Sequence, residues 1–300
     1  MGTLTVVTET IEPNATTVPT RVLVFGMGRS DGTVHATDVY PVAEACGQTP
    51  EQVRSCLRRL VAEGVFTRQG EGREAVYQAT ETGRAMWEGS LDRHRLAYEQ
   101  DRAGRGWDRR WHLVGFAVPE SHRSARDRFR DRLRGLGGAA VQSGLYVSAN
   151  PWEDEVRAAA STDDLGTHVT TATTDDLDIG GEHDPKALAA RLWNLDAVAE
   201  RYERFGRDYA EVPAALAEMR KRRERLTDAE FMAGALTAVV DFQSCFHRDP
   251  LLPPELLPRP WPGRAARELL AEIRKLGVLS REQHDRPVLF HEFDEVLDRL

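Results

Sequence analysis

The sequence is poor in cysteine and in metal-ligand spacings. Its three cysteines, Cys46, Cys56 and Cys245, are scattered and form no CxxC pair. This pattern is typical of a reducing compartment and argues against a disulfide framework or a structural zinc site. The nine histidines show no HExxH or similar spacing, so we expect neither a metal nor another cofactor.

Long apolar runs are also missing. No segment approaches the roughly 20 apolar residues that span a bilayer. Residues 1–19 lack the basic and apolar regions of a signal peptide and show no hydrophobic period, so we expect a disordered arm there. Together these features predict a cytoplasmic protein without a membrane partner.

Positive charge is in short supply. The chain has 40 Lys and Arg against 48 Asp and Glu, a formal net charge of -8. Phosphate contacts need basic side chains, so any nucleic-acid role has to rest on a local basic face. A length of 300 residues, with 41% hydrophobic and 29% charged residues, predicts a soluble protein of two or three domains.

The stretch FGMGRSDG, residues 25–32, contains two motif-like spacings. The G-x-S-x-G around Ser30 has the spacing of a hydrolase nucleophile elbow, and the first G-x-G begins a dinucleotide-binding loop. Both motifs require a helix to start at once, whereas residues 33–37 are β-branched and extended, and helix signals begin only at Asp38. We therefore expect a turn here and no catalytic residue.

Helix signals then follow in close order. A short helix is predicted from Asp38 to Gly47, and a longer one begins at the capping box of residues 49–52 and ends at Gly64. Two strand-like runs around a Gly-rich turn, residues 65–79, predict a hairpin, and a further helix starts at residue 80. This order predicts a winged helix-turn-helix domain over residues 20–90.

The longer helix has an apolar stripe and an opposite face that is polar and partly basic. The second helix of a helix-turn-helix lies in the major groove, and the wing can contact phosphates. The candidate DNA-binding residues are Arg54, Ser55, Arg58, Arg59, Arg68, Gln69 and Arg73. The alternative is an ordinary solvated face. Residues 20–88 contain 8 Arg against 9 Asp and Glu, so affinity would depend on arrangement and dimer pairing rather than bulk charge.

A charged stretch, residues 91–110, is expected to be a linker or an exposed helix end. Residues 111–178 then show the order strand, helix, strand, strand, helix, strand, which predicts a ferredoxin-like α+β domain. Its first helix carries six arginines: Arg123, Arg126, Arg128, Arg130, Arg132 and Arg134. Interspersed acids favour a salt-bridged outer face, and a site for effector phosphates or a second strip of DNA is the alternative.

From residue 184 to 280 the hydrophobic period is helical, with a Pro-rich break at 249–263. We therefore expect a helical C-terminal domain. Residues 281–300 are expected to form an acidic tail.

Three segments together resemble the PaaX-type transcriptional repressors, the family named for control of phenylacetic acid degradation. The most specific is FHRDPLLPPELLP, residues 246–258, with Trp-Pro-Gly at 261–263; the others are residues 111–152 and 20–88. The resemblance implies a Cas2-like fold for the central domain, and it implies that residues 22–27 end a first helix. It also implies a homodimeric repressor of a double-stranded DNA operator, released by a small-molecule effector. In the family's name case that effector is an aryl-CoA thioester, so an acyl- or aryl-CoA is the class expected here.

Arginine beside aromatic walls would suit the phosphates and acyl group of a CoA thioester. The candidate effector-binding residues are Trp193, Tyr202, His247, Arg248 and Trp261. The alternative is that the Pro-rich segment is a structural knot, in which Trp261 is buried and Arg248 pairs with Asp249.

Two other function classes are alternatives. Cas2-type folds can be metal-dependent nucleases, which need a carboxylate near the end of the first strand. Residues 117–119 are Ala-Val-Pro, and only Glu120 is near, so we expect no enzyme activity and no metal site. The runner-up is a regulatory or scaffold protein that retains the PaaX architecture without binding DNA.

Overall fold

The computed structural model describes residues 18–281, except the side chains of residues 88–91 and 228–229. The arm expected at 1–19 therefore lies almost entirely outside the described residues, and so does the acidic tail expected at 281–300. The described residues form two compact units. The first contains the chain up to Arg95, Tyr202–Ser244 and the residues from Gly263 on; the second contains Leu96–Arg201 and Cys245–Pro262.

The N-terminal part of the first unit combines three helices with a small sheet. Its elements are α1 Thr20–Gly26, β1 Thr33–His35, α2 Ala36–Ala45, α3 Pro50–Ala62, β2 Phe66–Gln69 and β3 Val76–Ala79. The strands are antiparallel in the order β1-β3-β2. The expected helix at 22–27 and the hairpin at 65–79 are confirmed, whereas α2 begins two residues before the predicted Asp38.

The start of α3 follows its sequence signal closely. The Thr49 hydroxyl accepts a hydrogen bond from the Gln52 amide at 3.3 Å, and the Gln52 side chain accepts one from the Thr49 amide at 2.7 Å. This reciprocal pair satisfies two backbone donors that a helix start leaves open, and Pro50 fits the first helical position. The predicted capping box is confirmed.

Three aromatic rings hold the helices on the sheet. Phe25, Phe66 and Trp87 lie with ring centroids 5.4 to 5.8 Å apart in mostly edge-to-face pairs. A Cβ at Gly28 would approach the Trp87 ring to 2.7 Å, so this glycine is required for packing. The stretch around Ser30 is a turn that runs into β1, which confirms the expectation that it has no strand-to-helix elbow.

Helix α4, Glu81–Ala103, is longer than the sequence indicated. The stretch expected as a linker or an exposed helix end is helical up to Ala103, and His94 and Ala97 are buried. Burial, and then the nearby Arg267 guanidinium, lower the pKa of His94 to about 3. The imidazole is therefore neutral at physiological pH, and its Nε2 accepts a hydrogen bond from the Gln243 amide at 3.0 Å.

The second unit contains a four-stranded antiparallel sheet. Its elements are β4 Trp111–Phe116, α5 Arg123–Gly135, β5 Ala139–Gln142, β6 Leu145–Ser148, α6 Glu153–Thr162 and β7 Val169–Thr174. The strand order is β5-β6-β4-β7. This is the predicted ferredoxin-like order, with the first and third strands in the centre.

Both faces of this sheet are covered. Phe129 and Leu133 of α5 pack with Val156 of α6 on one face. On the other face Trp111 packs with Trp193 and with leucines from the helical C-terminal region. The alternation of side chains along β4 and β6 divides their residues between these two clusters.

Residues 185–279 are largely helical, as predicted, apart from the Pro-rich segment before residue 262. The helices are α7 Pro185–Leu192, α8 Leu195–Tyr209, α9 Val212–Lys221, α10 Asp228–Phe246 and α11 Pro262–Leu279. Phe242 lies at the centre of the aromatic cluster within the first unit, 5.5 Å from Phe205 and 6.1 Å from Tyr202. Among the helices of residues 18–281, none has the length and apolar character that crossing a membrane requires.

Candidate functional site

Helix α3 separates its apolar and polar faces as the sequence predicts. Val53, Leu57 and Leu60 are fully buried. The candidates on the opposite face, Ser55, Arg58 and Arg59, are exposed, and so is Arg54 on the flank. A helix with this division is held on one side by the core and offers the other side to a partner.

One carboxylate engages two of these arginines. Glu51 accepts a hydrogen bond from Arg54 at 2.6 Å and another from Arg58 at 3.2 Å. The hydrogen bond from Arg54 is the main cause that holds the pKa of Glu51 below its usual range. All three side chains are more than half exposed, so water screens these pairs and little free energy opposes their exchange for another anion.

The hairpin presents the remaining candidates. Arg68 and Gln69 end β2, where Arg68 pairs in register with Tyr77, and Arg73 lies in the single 3-10 turn at the tip. All three candidate side chains are exposed. Gly70 and Gly72 adopt positive φ angles of 76° and 63°, which allows the tight reversal.

The hairpin is tied to the end of α3. The Val65 amide donates to the Leu60 carbonyl at 2.9 Å, and the Thr80 hydroxyl donates to the Gly64 carbonyl at 2.6 Å. The helix candidates and the hairpin candidates therefore belong to one structural piece, within a single compact unit.

The arginines of α5 differ from those of α3 because all of them are paired with acids. Each of the six lies within 4.0 Å of a carboxylate oxygen. Glu120 and Asp127 engage those near the start of the helix, and Asp131 engages Arg134. This distribution supports the salt-bridged outer face rather than a phosphate site.

Asp163 is the central acid of this network. Its side chain is 3% exposed and lies 2.9 Å from the Arg128 guanidinium and 3.7 Å from that of Arg132. Because the carboxylate is buried and the arginines are partly exposed, the pairing fixes the outer edge of α5 to the end of α6.

The effector candidates lie in two different environments. The Trp193 ring is 8% exposed, stacks on Trp111 with centroids 6.4 Å apart, and donates from its indole nitrogen to the Gly137 carbonyl at 2.9 Å. Trp261 is half-buried against the same cluster. Tyr202 is buried in the core of the first unit.

The polar effector candidates are more accessible. His247 and Arg248 follow α10 and are exposed. The next residue, Asp249, is buried and accepts a hydrogen bond from the Leu251 amide at 2.8 Å. This contact supports the turn that starts the Pro-rich segment, in which Leu251 has a positive φ of 53°.

The position that a Cas2-type nuclease would need for a carboxylate follows β4. Residues 117–119 bear no acid, and Glu120 lies 3.0 Å from Arg126 and 3.7 Å from Arg123. Within residues 18–281 no group of three His, Cys, Asp or Glu side chains has metal-site geometry.

Sequence reasoning missed one further charged feature. The loop between α4 and β4 exposes Arg105, Arg109 and Arg110. The only signal in the sequence is an arginine-rich run with glycines, which is equally typical of a linker.

Two family models match the chain. The model of the PaaX protein central Cas2-like domain matches residues 104–189, and the model of the PaaX-like protein C-terminal domain matches residues 193–284. The chain belongs to the PaaX family. The resemblance inferred from the sequence is confirmed. Neither match includes the α3 region of this PaaX-family protein, which precedes residue 104.

A solved structure is similar to the chain. It is an uncharacterized protein, Rv0674 from Mycobacterium tuberculosis, with a TM-score of 0.52 and 20% sequence identity over 88% of this chain and 98% of that chain. At this identity the similarity supports the fold alone. A search of the curated proteins finds no match.

Proposed function

We propose that this PaaX-family protein is a DNA-binding transcriptional regulator whose residues 20–90 form a winged helix-turn-helix. The observation that carries the proposal is the exposed face of α3, with Arg54, Ser55, Arg58 and Arg59 opposite a fully buried stripe. In this arrangement α3 enters the major groove and its side chains contact base edges and phosphates.

The hairpin acts as the wing. Arg68, Gln69 and Arg73 are exposed and would contact the sugar-phosphate backbone or an adjacent minor groove. Hydrogen bonds from the hairpin to the end of α3 support this role, because they fix the hairpin candidates relative to the α3 candidates.

The proposed active species is a homodimer in the cytoplasm that represses transcription from a palindromic operator. Two copies of α3 at a spacing of about one helical turn of DNA would read the two half-sites. An effector that binds another arrangement of the dimer better would shift the population away from the DNA-bound form.

The proposed effector is a small molecule of the acyl- or aryl-CoA thioester class. The exposed His247 and Arg248 suit contacts to its phosphates. The half-buried Trp261 suits its apolar part. Trp193 and Tyr202 are buried, so in this proposal they would contact an effector only after a rearrangement.

A specific observation favours the runner-up, a regulator or scaffold that does not bind DNA. Glu51 already engages Arg54 and Arg58, and acids outnumber arginines across residues 20–88. A metal-dependent nuclease is the least supported alternative, because Glu120, the first acid in sequence after β4, is engaged by arginines.

A footprint and a salt titration test the proposal. The purified full chain is incubated with its own promoter region, and the protected segment is mapped. We expect a palindrome with half-sites about 10 base pairs apart, centre to centre, and an affinity that falls steeply as salt rises. An absence of protection together with a flat salt response would favour the DNA-independent regulator.

A further inference from the structure

We propose that the loop between α4 and β4, residues 104–110, is a second contact site for the phosphate backbone of duplex DNA, made by Arg105, Arg109 and Arg110. The proposal rests on the DNA-binding function above and adds a site outside the α3 region. All three arginines are exposed. In the described part of the chain, no carboxylate lies within ion-pair distance of any of them.

Hydrogen bonds and a ring contact anchor the loop backbone. Both Glu255 carboxylate oxygens accept from the Gly106 amide, at 3.1 and 3.2 Å, and one also accepts from the Trp107 amide at 3.4 Å. The Trp107 indole nitrogen donates to the Arg110 carbonyl at 3.0 Å, while its ring packs edge-on against Trp111. The arginines are therefore displayed by an anchored backbone, and less backbone ordering remains to be done on binding.

The acids near the loop are occupied elsewhere. Glu255 is used by the backbone amides of Gly106 and Trp107. Asp108, the single acid within the loop, accepts from the Arg110 amide at 2.8 Å, and its other oxygen lies 3.1 Å from His112 Nε2. Because these carboxylates are engaged by backbone amides and by His112, they form no ion pair with the exposed loop arginines, which stay available to an external anion.

Arg109 provides a separate observation. Its φ of 65° lies in the left-handed region, which is unfavourable for a side chain of this kind and which tends to persist where a conformation serves a function. A glycine or asparagine would adopt this φ more readily. An arginine at this position adds an exposed cation to the loop.

Duplex DNA fits this surface better than a small phosphorylated molecule. Sites for small ligands are concave and largely apolar, whereas the three arginines stand on an exposed loop and Trp107 packs inward. Exposed arginines without acidic partners are what a phosphate backbone requires, because binding then releases counterions without first breaking internal pairs.

The test compares Arg105→Gln/Arg109→Gln/Arg110→Gln with the wild type. Fluorescence anisotropy gives the affinity for the footprinted duplex and for a scrambled duplex of equal length over a salt series. A plot of log affinity against log salt has a negative slope. We expect this slope to become less steep by about 2 to 3 on both duplexes. The ratio between the two affinities should stay unchanged, because phosphate contacts carry no direct sequence information.

A matched control is Arg123→Gln/Arg126→Gln/Arg134→Gln, which removes the same charge from the paired face of α5 and should leave the slope unchanged. A second variant, Arg105→Gln/Arg110→Gln, keeps Arg109 with its left-handed φ and replaces the triple variant if that one folds poorly. Its salt dependence should be less steep than that of the wild type by about 2.

The outcomes separate the two proposals. If the wild type binds neither duplex, both proposals fall. If the wild type binds and the loop variants keep its salt dependence, the loop site is refuted while the function of α3 stands. The same conclusion follows if the α5 control makes the salt dependence equally less steep.

Discussion

Two arginine-bearing helices of this protein look alike in sequence and differ in structure. Helix α3 carries three arginines, and a single exposed carboxylate, Glu51, engages two of them. Helix α5 carries six arginines, and every one has a carboxylate within 4.0 Å. The number of arginines therefore does not identify the candidate nucleic-acid surface. The supply of acidic partners distinguishes the two helices.

The burial of the acidic partner matters as much as the number of acids for whether an arginine can exchange its partner for phosphate. Glu51 is exposed, so its pairs contribute little and can be replaced by phosphate. Asp163 is 3% exposed, and a buried carboxylate that loses its cations is costly. We infer that the α3 pairs can exchange with DNA, whereas the α5 pairs through Asp163 belong to the fold.

The largest expected effect is on the α3 face. Arg58→Ala/Arg59→Ala should weaken operator binding by about 1–3 kcal/mol for each arginine that reads a base edge in the wild type. Stability should change little because both side chains are exposed. Anisotropy measures the affinity, and thermal unfolding measures the stability.

The control for this comparison is Arg123→Ala/Arg126→Ala on α5, which should leave operator affinity at the wild-type value. Equal losses in the two double variants would mean that only bulk charge matters. An unchanged affinity in the α3 variant would mean that another face of the region contacts DNA.

A smaller effect is expected from Asp163→Asn. Removing the charge from the buried partner of Arg128 and Arg132 should lower the free energy of unfolding by about 1–2 kcal/mol, because charge-assisted hydrogen bonds are lost. Thermal or urea unfolding measures this change, and DNA affinity should not change.

Asp131→Asn is the matched exposed substitution. Its side chain is 78% exposed and pairs with Arg134, so the expected loss is below about 0.5 kcal/mol. Equal destabilisation by the two substitutions would contradict the distinction between buried and exposed pairs.

The smallest effect concerns Glu51→Gln. Releasing Arg54 and Arg58 should raise the affinity for a scrambled duplex by about twofold, and the operator should gain less. The ratio of the two affinities should therefore fall. Glu44→Gln, which removes the same charge from an exposed residue of α2, should change both affinities equally. A decrease in scrambled-duplex affinity for Glu51→Gln would show that Glu51 assists binding.

Local signals predicted much of the fold. The capping box at Thr49 placed the start of α3, and the order of strand-like and helical segments over residues 111–178 predicted the elements of the central domain. The extent of α4 was missed because residues 91–110 are rich in charge, and the buried His94 and Ala97 within them are visible only once their neighbours are in place.

The candidate site was predicted unevenly. The exposed face of α3 follows from helical period, so Arg58 and Arg59 could be named from sequence. The burial of Trp193 and Tyr202 could not, because it depends on partners far along the chain: the Trp193 indole donates to Gly137, which lies 56 residues away.

The sequence by itself determined where α3 begins, which face of α3 is apolar, and the succession of strands and helices along the central domain, because these depend on spacings of a few residues. Only the tertiary structure decided which charged groups meet partners far away along the chain. Asp163 is 35 residues from Arg128, and Glu255 is 149 residues from Gly106. An ion pair depends on distance in space, so a surface charge pattern becomes readable only after the chain has folded.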